Sequence, residues 1–180
     1  MFTIDETKAW WRGLLKDRTR FEAWLQKLHR TEFEGYTGHL QFLAQPSSAD
    51  VTERTAQILL NIAMDELKHA RLIEGFMANQ GLAVIPDPPQ SQYWKTMNSQ
   101  VNGFNDYLAV NYLGEDLAAT RFEIILGMPE TPKEFGQALT LILPDEQFHR
   151  ETLKRLAGEE AIKRMSATHV QAVTALKVET

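Results

Sequence analysis

The sequence predicts an all-α protein built on an antiparallel four-helix bundle, and three observations point there. Strong Pro and Gly breaks fall in few places: Pro46, the Pro86–Pro89 cluster, Gly127 with Pro129 and Pro132, and Gly158. Between them lie long segments rich in Leu, Ala, Glu, Gln, Arg and Lys. Those segments place apolar residues at steps of three and four with no alternating runs, which is helical rather than strand patterning.

The elements follow in order. Thr3 with Glu6 is a capping-box signature for a short N-terminal helix over about 4–16. A first bundle helix covers about 19–44 and ends before Pro46; Gly35 and Gly38 inside it each cost about 1 kcal/mol against Ala. Ser48 or Asp50 would cap a second helix over about 51–80, stopped by Gly81. Residues 81–98 read as a long connection. A third helix is expected over about 99–127, and a fourth over about 131–157 that ends at Gly158. Pro144 lacks a donor inside the fourth and predicts a kink just before Glu146. An amphipathic tail over about 159–176 should pack on the outside. Trp10, Trp11, Phe21 and Trp24 read as packing of the N-terminal helix.

Short links join the first pair of helices and the last pair, so each pair should form an antiparallel hairpin. The long middle link then implies one crossover along the bundle. The chain, 1–180, reads as one domain with its core over about 19–157 and extra helices at both termini.

Composition narrows the function. At 180 residues the chain can bury a core, and its net charge of −5 lacks the basic footprint of a nucleic-acid binder. With no cysteine, disulfides, thiol catalysis, iron–sulfur clusters and zinc-thiolate sites are excluded together. That fits a reducing cytoplasm. Asp5, Glu6 and Lys8 interrupt the start of the chain, so it does not read as a secretory signal. No apolar run reaches the roughly 18 residues of a membrane span. A soluble, cytosolic protein without membrane partners is expected.

Each bundle helix has an apolar stripe interrupted by acid. The first reads Leu25, Leu28, Glu32, Gly35, His39, Phe42, and the second Leu59, Ile62, Glu66, His69, Ile73, Phe76. The third reads Phe104, Leu108, Asn111, Glu115, Ala118, Phe122, Ile125, and the fourth Leu139, Ile142, Glu146, His149, Leu153, Leu156. Steps of three and four keep each set on one inward face. Burying even one unpaired carboxylate costs several kcal/mol, and four would repel unless cations neutralise them. No basic residue other than histidine shares the stripes, so metal ions are the fitting counter-charge.

The spacing sharpens this. Glu66 with His69 and Glu146 with His149 are both Glu-x-x-His, an i, i+3 pair that sets a carboxylate and an imidazole side by side for one metal. A single such pair arises by chance in many helices. Two, each following a helix with an in-stripe Glu at intervals of 34 and 31 residues, make an approximate internal repeat suited to a two-metal site. Glu34, Asp116 and Glu123 lie off the stripes and read as surface acids, and His29 and His169 as surface histidines.

In motif order and spacing the chain resembles the ferritin-like di-iron carboxylate superfamily, which includes rubrerythrin, bacterioferritin and the di-iron oxidases and oxygenases. The resemblance covers about 19–157. It implies a ferritin-like bundle with Glu32, Glu66, His69, Glu115, Glu146 and His149 as ligands to two iron ions, Glu66 and Glu146 bridging. Both Glu-x-x-His pairs are preceded by an acid, Asp65 and Asp145, as in several di-iron oxygenases. Metal-bound histidines commonly donate their second N–H to a carboxylate, so each Asp is a candidate to orient a histidine, and an exposed acid beside the stripe is an equal reading. His39 stands where the family often has Tyr, and reads either as a site neighbour or proton relay or as a hydrogen-bonded core histidine.

Oxygen and nitrogen ligands without sulfur suit iron or manganese, and zinc is compatible. The expected activity is oxidation of a small organic substrate with O2 or peroxide, with electrons from an external donor. A ferroxidase or storage protein, a rubrerythrin-like peroxidase and a metal-stabilised interaction module are the alternatives. Pairing as a homodimer is left open.

Overall fold

Helix formation begins where the sequence supplies caps. In the computed structural model, which describes residues 2–45 and 51–178, helix α1 (Ile4–Lys16) starts at Thr3. The Thr3 side chain accepts the Glu6 N–H while the Glu6 carboxylate accepts the Thr3 N–H, the expected capping box. Helix α2 spans Arg18–Leu43. Helix α3 (Glu53–Asn79) is capped by Thr52, whose hydroxyl accepts the Thr55 N–H at 3.2 Å. The expected caps Ser48 and Asp50 lie outside the described residues, and Thr52 takes the role. Gly81 ends α3 at φ 73°, where the Gly81 N–H bonds Ala78 O and the Leu82 N–H bonds Met77 O. That double closure is the left-handed stop for which glycine is suited.

The connection after α3 is not all loop. It contains a short helix, α4 (Gln92–Asn98), and α5 (Phe104–Leu126) begins five residues later than expected from about 99. Gly103 at φ 113° makes the break, a conformation closed to side chains with a Cβ. Helix α6 (Lys133–Ala157) runs through Pro144 as one element, and α7 (Glu159–Val178) follows Gly158 at φ 76°. The described residues contain helices and no strand. None of these helices is long and apolar enough to cross a membrane.

The chain divides into two compact units, Met1–Arg18 with Ser91–Thr180, and Thr19–Gln90. In the Thr19–Gln90 unit, α2 and α3 are antiparallel, as their pairings show: Phe21 meets Phe76, Glu32 meets His69, and Gly35 meets Glu66. The connection after α3 is tied back to α2 at two points. Gln26 donates to Ala83 O at 2.8 Å and accepts the Ile85 N–H at 3.1 Å. Arg30 bonds Glu34, Asp87 and the Pro88 carbonyl.

In the other unit α5 and α6 form the second antiparallel hairpin: Asp116 meets Arg150, Glu123 meets Gln147, and Leu126 lies by Gly136. Helix α7 packs on α4 and α5, burying Ala161, Met165, His169, Ala172 and Val173. Its Arg164 holds the buried Asp106 of α5 at 2.7 Å. Helix α1 is anchored by Trp11, which donates to Thr131 Oγ1 at 3.0 Å and stacks on Phe135. Arg121 of α5 sits under the rings of Phe2 and Trp10 at 4.3 and 5.0 Å.

The aromatic residues therefore serve two packings. Trp10 and Trp11 belong with α1, whereas Phe21 and Trp24 stack on each other within α2 and Phe21 reaches Phe76.

The Gln26 tie makes a testable prediction. Gln26→Ala leaves the Ala83 carbonyl and Ile85 N–H without their partner, at a cost of about 1–3 kcal/mol. Amide hydrogen exchange at Ile85 should accelerate while α1 remains protected; unchanged exchange would show that the tie is not needed.

Candidate metal centre

The acidic stripes place their carboxylates inside. Glu32 is 4% exposed, Glu66 6% and Glu146 2%, while His69 and His149 are wholly buried. Glu115 is half-buried. The flanking residues explain the depth. On α3, Leu59 and Ile62 precede Glu66, and Ile73 follows His69; on α6, Leu139 and Ile142 precede Glu146, and Leu153 follows His149. All six are almost completely buried. The two helices thus repeat one pattern of apolar flanks, Glu and His in register, and each flank turns its carboxylate inward with it.

Within the α2–α3 hairpin, Glu32, Glu66 and His69 offer ligand atoms within 4.8 Å of one another. Glu32 Oε2 lies 3.4 Å from His69 Nδ1, which identifies Nδ1 as the imidazole nitrogen on the carboxylate side. Within the α5–α6 hairpin, Glu115, Glu146 and His149 likewise offer atoms within 4.8 Å. Each hairpin therefore assembles one single Glu and one Glu-x-x-His pair, the grouping expected from spacing.

The donor set fits a metal. Two carboxylates and an imidazole offering atoms within 4.8 Å of one another are an oxygen–nitrogen donor set that could hold a metal ion. A bound cation would also offset the cost of holding adjacent carboxylates in a core.

The remaining candidates are placed as follows. Asp65 and Asp145 are half-buried beside their glutamates, and Asp65 lies 3.7 Å from Lys68 Nζ. His39 is buried on α2 beyond Gly35. Glu34 is held by Arg30 Nε at 2.6 Å and by Gln90 at 3.1 Å, and is not among the grouped ligand residues. Glu123 is exposed and accepts from Gln147 at 2.6 Å.

His169 departs from expectation. It is buried, and its Nδ1 lies 2.9 Å from the Tyr93 hydroxyl, with the two rings edge to face. Burial raises the Tyr93 phenol far above its usual range, with the Glu115 charge adding to the effect, so Tyr93 remains protonated. Next to it, Trp94 covers Gly114, and a methyl there would land on the indole. The short helix α4 thus sets the Trp94 indole against α5 one residue before Glu115, with Tyr93 beside it. The sequence signal was weak, because a seven-residue helix inside a Pro-rich connection has no periodicity to read.

Burial also lowers the His169 imidazole, the Asp116 charge opposing, and lowers His29, with Glu74 opposing. A folded-state value below the unfolded value of about 6.5 means that the unfolded chain takes up the proton first as pH falls. These histidines therefore contribute stability that is present above about pH 6.5 and lost on acidification. The Tm of the wild type should drop between pH 7.5 and 5, and His169→Gln should reduce that drop. Equal slopes in the two proteins would refute the assignment.

In comparisons with known proteins the chain matches no family model, no curated protein and no solved structure. Its chemistry is therefore read from these two ligand groups.

Proposed function

We propose that the two groups hold a pair of iron ions, and that the protein is an iron oxidoreductase which oxidises a small organic substrate with O2 or peroxide. The observation that carries this reading is the repeated grouping of a single Glu with a buried Glu-x-x-His pair, once in each hairpin, the single Glu buried in the first and half-buried in the second. Glu32, Glu66 and His69 in one hairpin, and Glu115, Glu146 and His149 in the other, would hold the ions, the carboxylates as oxygen donors and the imidazoles as nitrogen donors. Bound there, a pair of iron ions would supply two electrons to O2 or peroxide.

The protein's own groups have defined parts in this reading. Carboxylates can change between binding one ion and bridging two, so the four glutamates would accommodate a change in metal charge. Asp65 and Asp145 would accept the second N–H of a histidine and fix its orientation. His39, buried along the same face as Glu32, would carry a proton to or from that side. The apolar residues around each pair keep bulk water out. With no cysteine in the chain, reducing electrons would come from a separate donor.

Anaerobic loading with Fe(II) tests the reading. The wild type should bind about two irons per chain, and admission of air should change the optical spectrum. His69→Ala and His149→Ala should each lower the iron bound without loss of helical circular dichroism. Uptake well below about two irons, the number the six ligands set, or a spectrum indifferent to air, would sink it. Mineralisation of many irons per chain in a hollow oligomer would instead establish iron storage.

A further inference from the structure

Helix α2 carries two interior glycines whose surroundings differ. A Cβ at Gly38 would meet nothing within 4 Å. A Cβ at Gly35 would lie 2.7 Å from Glu66 Oε2, 3.1 Å from its Cγ and 3.2 Å from its Cδ. Real Cβ atoms essentially never approach a neighbour to 2.7 Å, so the Glu66 carboxylate occupies the space that a side chain at position 35 would take. Gly35 lies within helix α2, and its φ is not in the left-handed region that would by itself demand glycine. What the position requires is room. An alanine would form the helix more readily, so the glycine is retained at a cost to local helix stability.

We propose that Gly35 is a positioning residue for the metal centre, holding open the pocket that seats the Glu66 carboxylate on the α2 side. The inference rests on the two-metal reading above. Glu66 is the paired glutamate of its group, with Glu32 and His69 within ligand distance. Its carboxylate can be displaced only by turning about its own side-chain torsions, because its backbone is fixed in α3. A methyl at position 35 would drive that turn and move the donor atoms out of line with Glu32 and His69. Gly35 touches no metal in this account. It acts through Glu66 by leaving it a seat, and by leaving the carboxylate space to alter its mode of binding.

The test is a variant series titrated anaerobically with Co(II), whose visible absorption reports the ligand geometry, and with Fe(II). Gly38→Ala is the control and should bind like the wild type, with an unchanged Co(II) spectrum. Gly35→Ala should retain helical circular dichroism but bind metal at least tenfold more weakly, with an altered Co(II) spectrum. Shortening the displaced side chain restores room, so adding Glu66→Asp to Gly35→Ala should recover affinity, whereas Glu66→Asp alone should weaken it. That reversal of sign is a coupling which general loosening of α2 would not produce.

Wild-type affinity and spectrum in Gly35→Ala would overturn the proposal while leaving the metal centre standing, and so would strictly additive losses in the double variant. A wild type that takes up neither ion would overturn the metal centre, and this role of Gly35 with it.

Discussion

Carboxylates in an apolar helical core are the constraint on which the rest of the structure turns. A buried carboxylate without compensation costs several kcal/mol, comparable to much of a small domain's net stability. In each hairpin, two glutamates and a histidine stand at one level, so helix register is set by them as much as by packing. In α2 and α3, Phe21 with Phe76, Glu32 with His69 and Gly35 with Glu66 all obey one antiparallel register. Sliding one helix by a single turn, about 5.4 Å, would part the donors and bury each acid among aliphatic side chains. The aromatic contact at one end and the glycine contact near the acids both oppose that slip.

The same constraint explains why the candidate site was the most legible part of the sequence. A polar residue on an inward stripe must be satisfied there, so Glu66, His69, Glu146 and His149 could be read from spacing alone. Helix ends with strong local chemistry were legible too: the Thr3–Glu6 box and the Gly81 stop depend on a few adjacent residues. What escaped was decided by tertiary contact. Helix α4 is only seven residues long and gains its place from Tyr93 and Met97, both buried, rather than from intrinsic helix tendency. His169 looks like a surface residue until α7 lies on α4 and brings the Tyr93 hydroxyl to its ring. Gly35 read as an inward-facing weak point in a helix, because a sequence shows the cost of a glycine but not the neighbour that requires it.

Helix α5 shows a related limit. Its stripe was expected to run through Leu108, Asn111, Glu115, Ala118, Phe122 and Ile125. Yet Ala109, Val110, Leu113, Gly114 and Ala119 are also buried. The helix packs against α1, α4, α6 and α7, so apolar residues are needed nearly all round it. A single inward face therefore ceases to be defined, and Asn111 turns to its own helix, donating to the Tyr107 carbonyl at 2.8 Å. Glu115 sits half-buried on this many-sided helix, whereas Glu32 is deeply buried.

That difference gives the long connection a structural purpose. Equal spacing makes the two ligand groups alike in sequence, but only the Glu115 group has α4 in its own unit. Gly114, one residue before Glu115, has no Cβ, and the Trp94 ring fills the place where one would stand. Tyr93 beside it is fixed by His169 and kept neutral, so it adds no second negative charge near Glu115. The segment between the hairpins thus sets an indole against the backbone one residue before the more exposed carboxylate, with a neutral phenol near enough to feel its charge. A loop of arbitrary sequence could span the same distance without doing so. The glycines at 35 and 114 then share one logic: each gives up helix stability so that a side chain from a neighbouring helix, a carboxylate in one hairpin and an indole in the other unit, can lie against the backbone beside a candidate ligand.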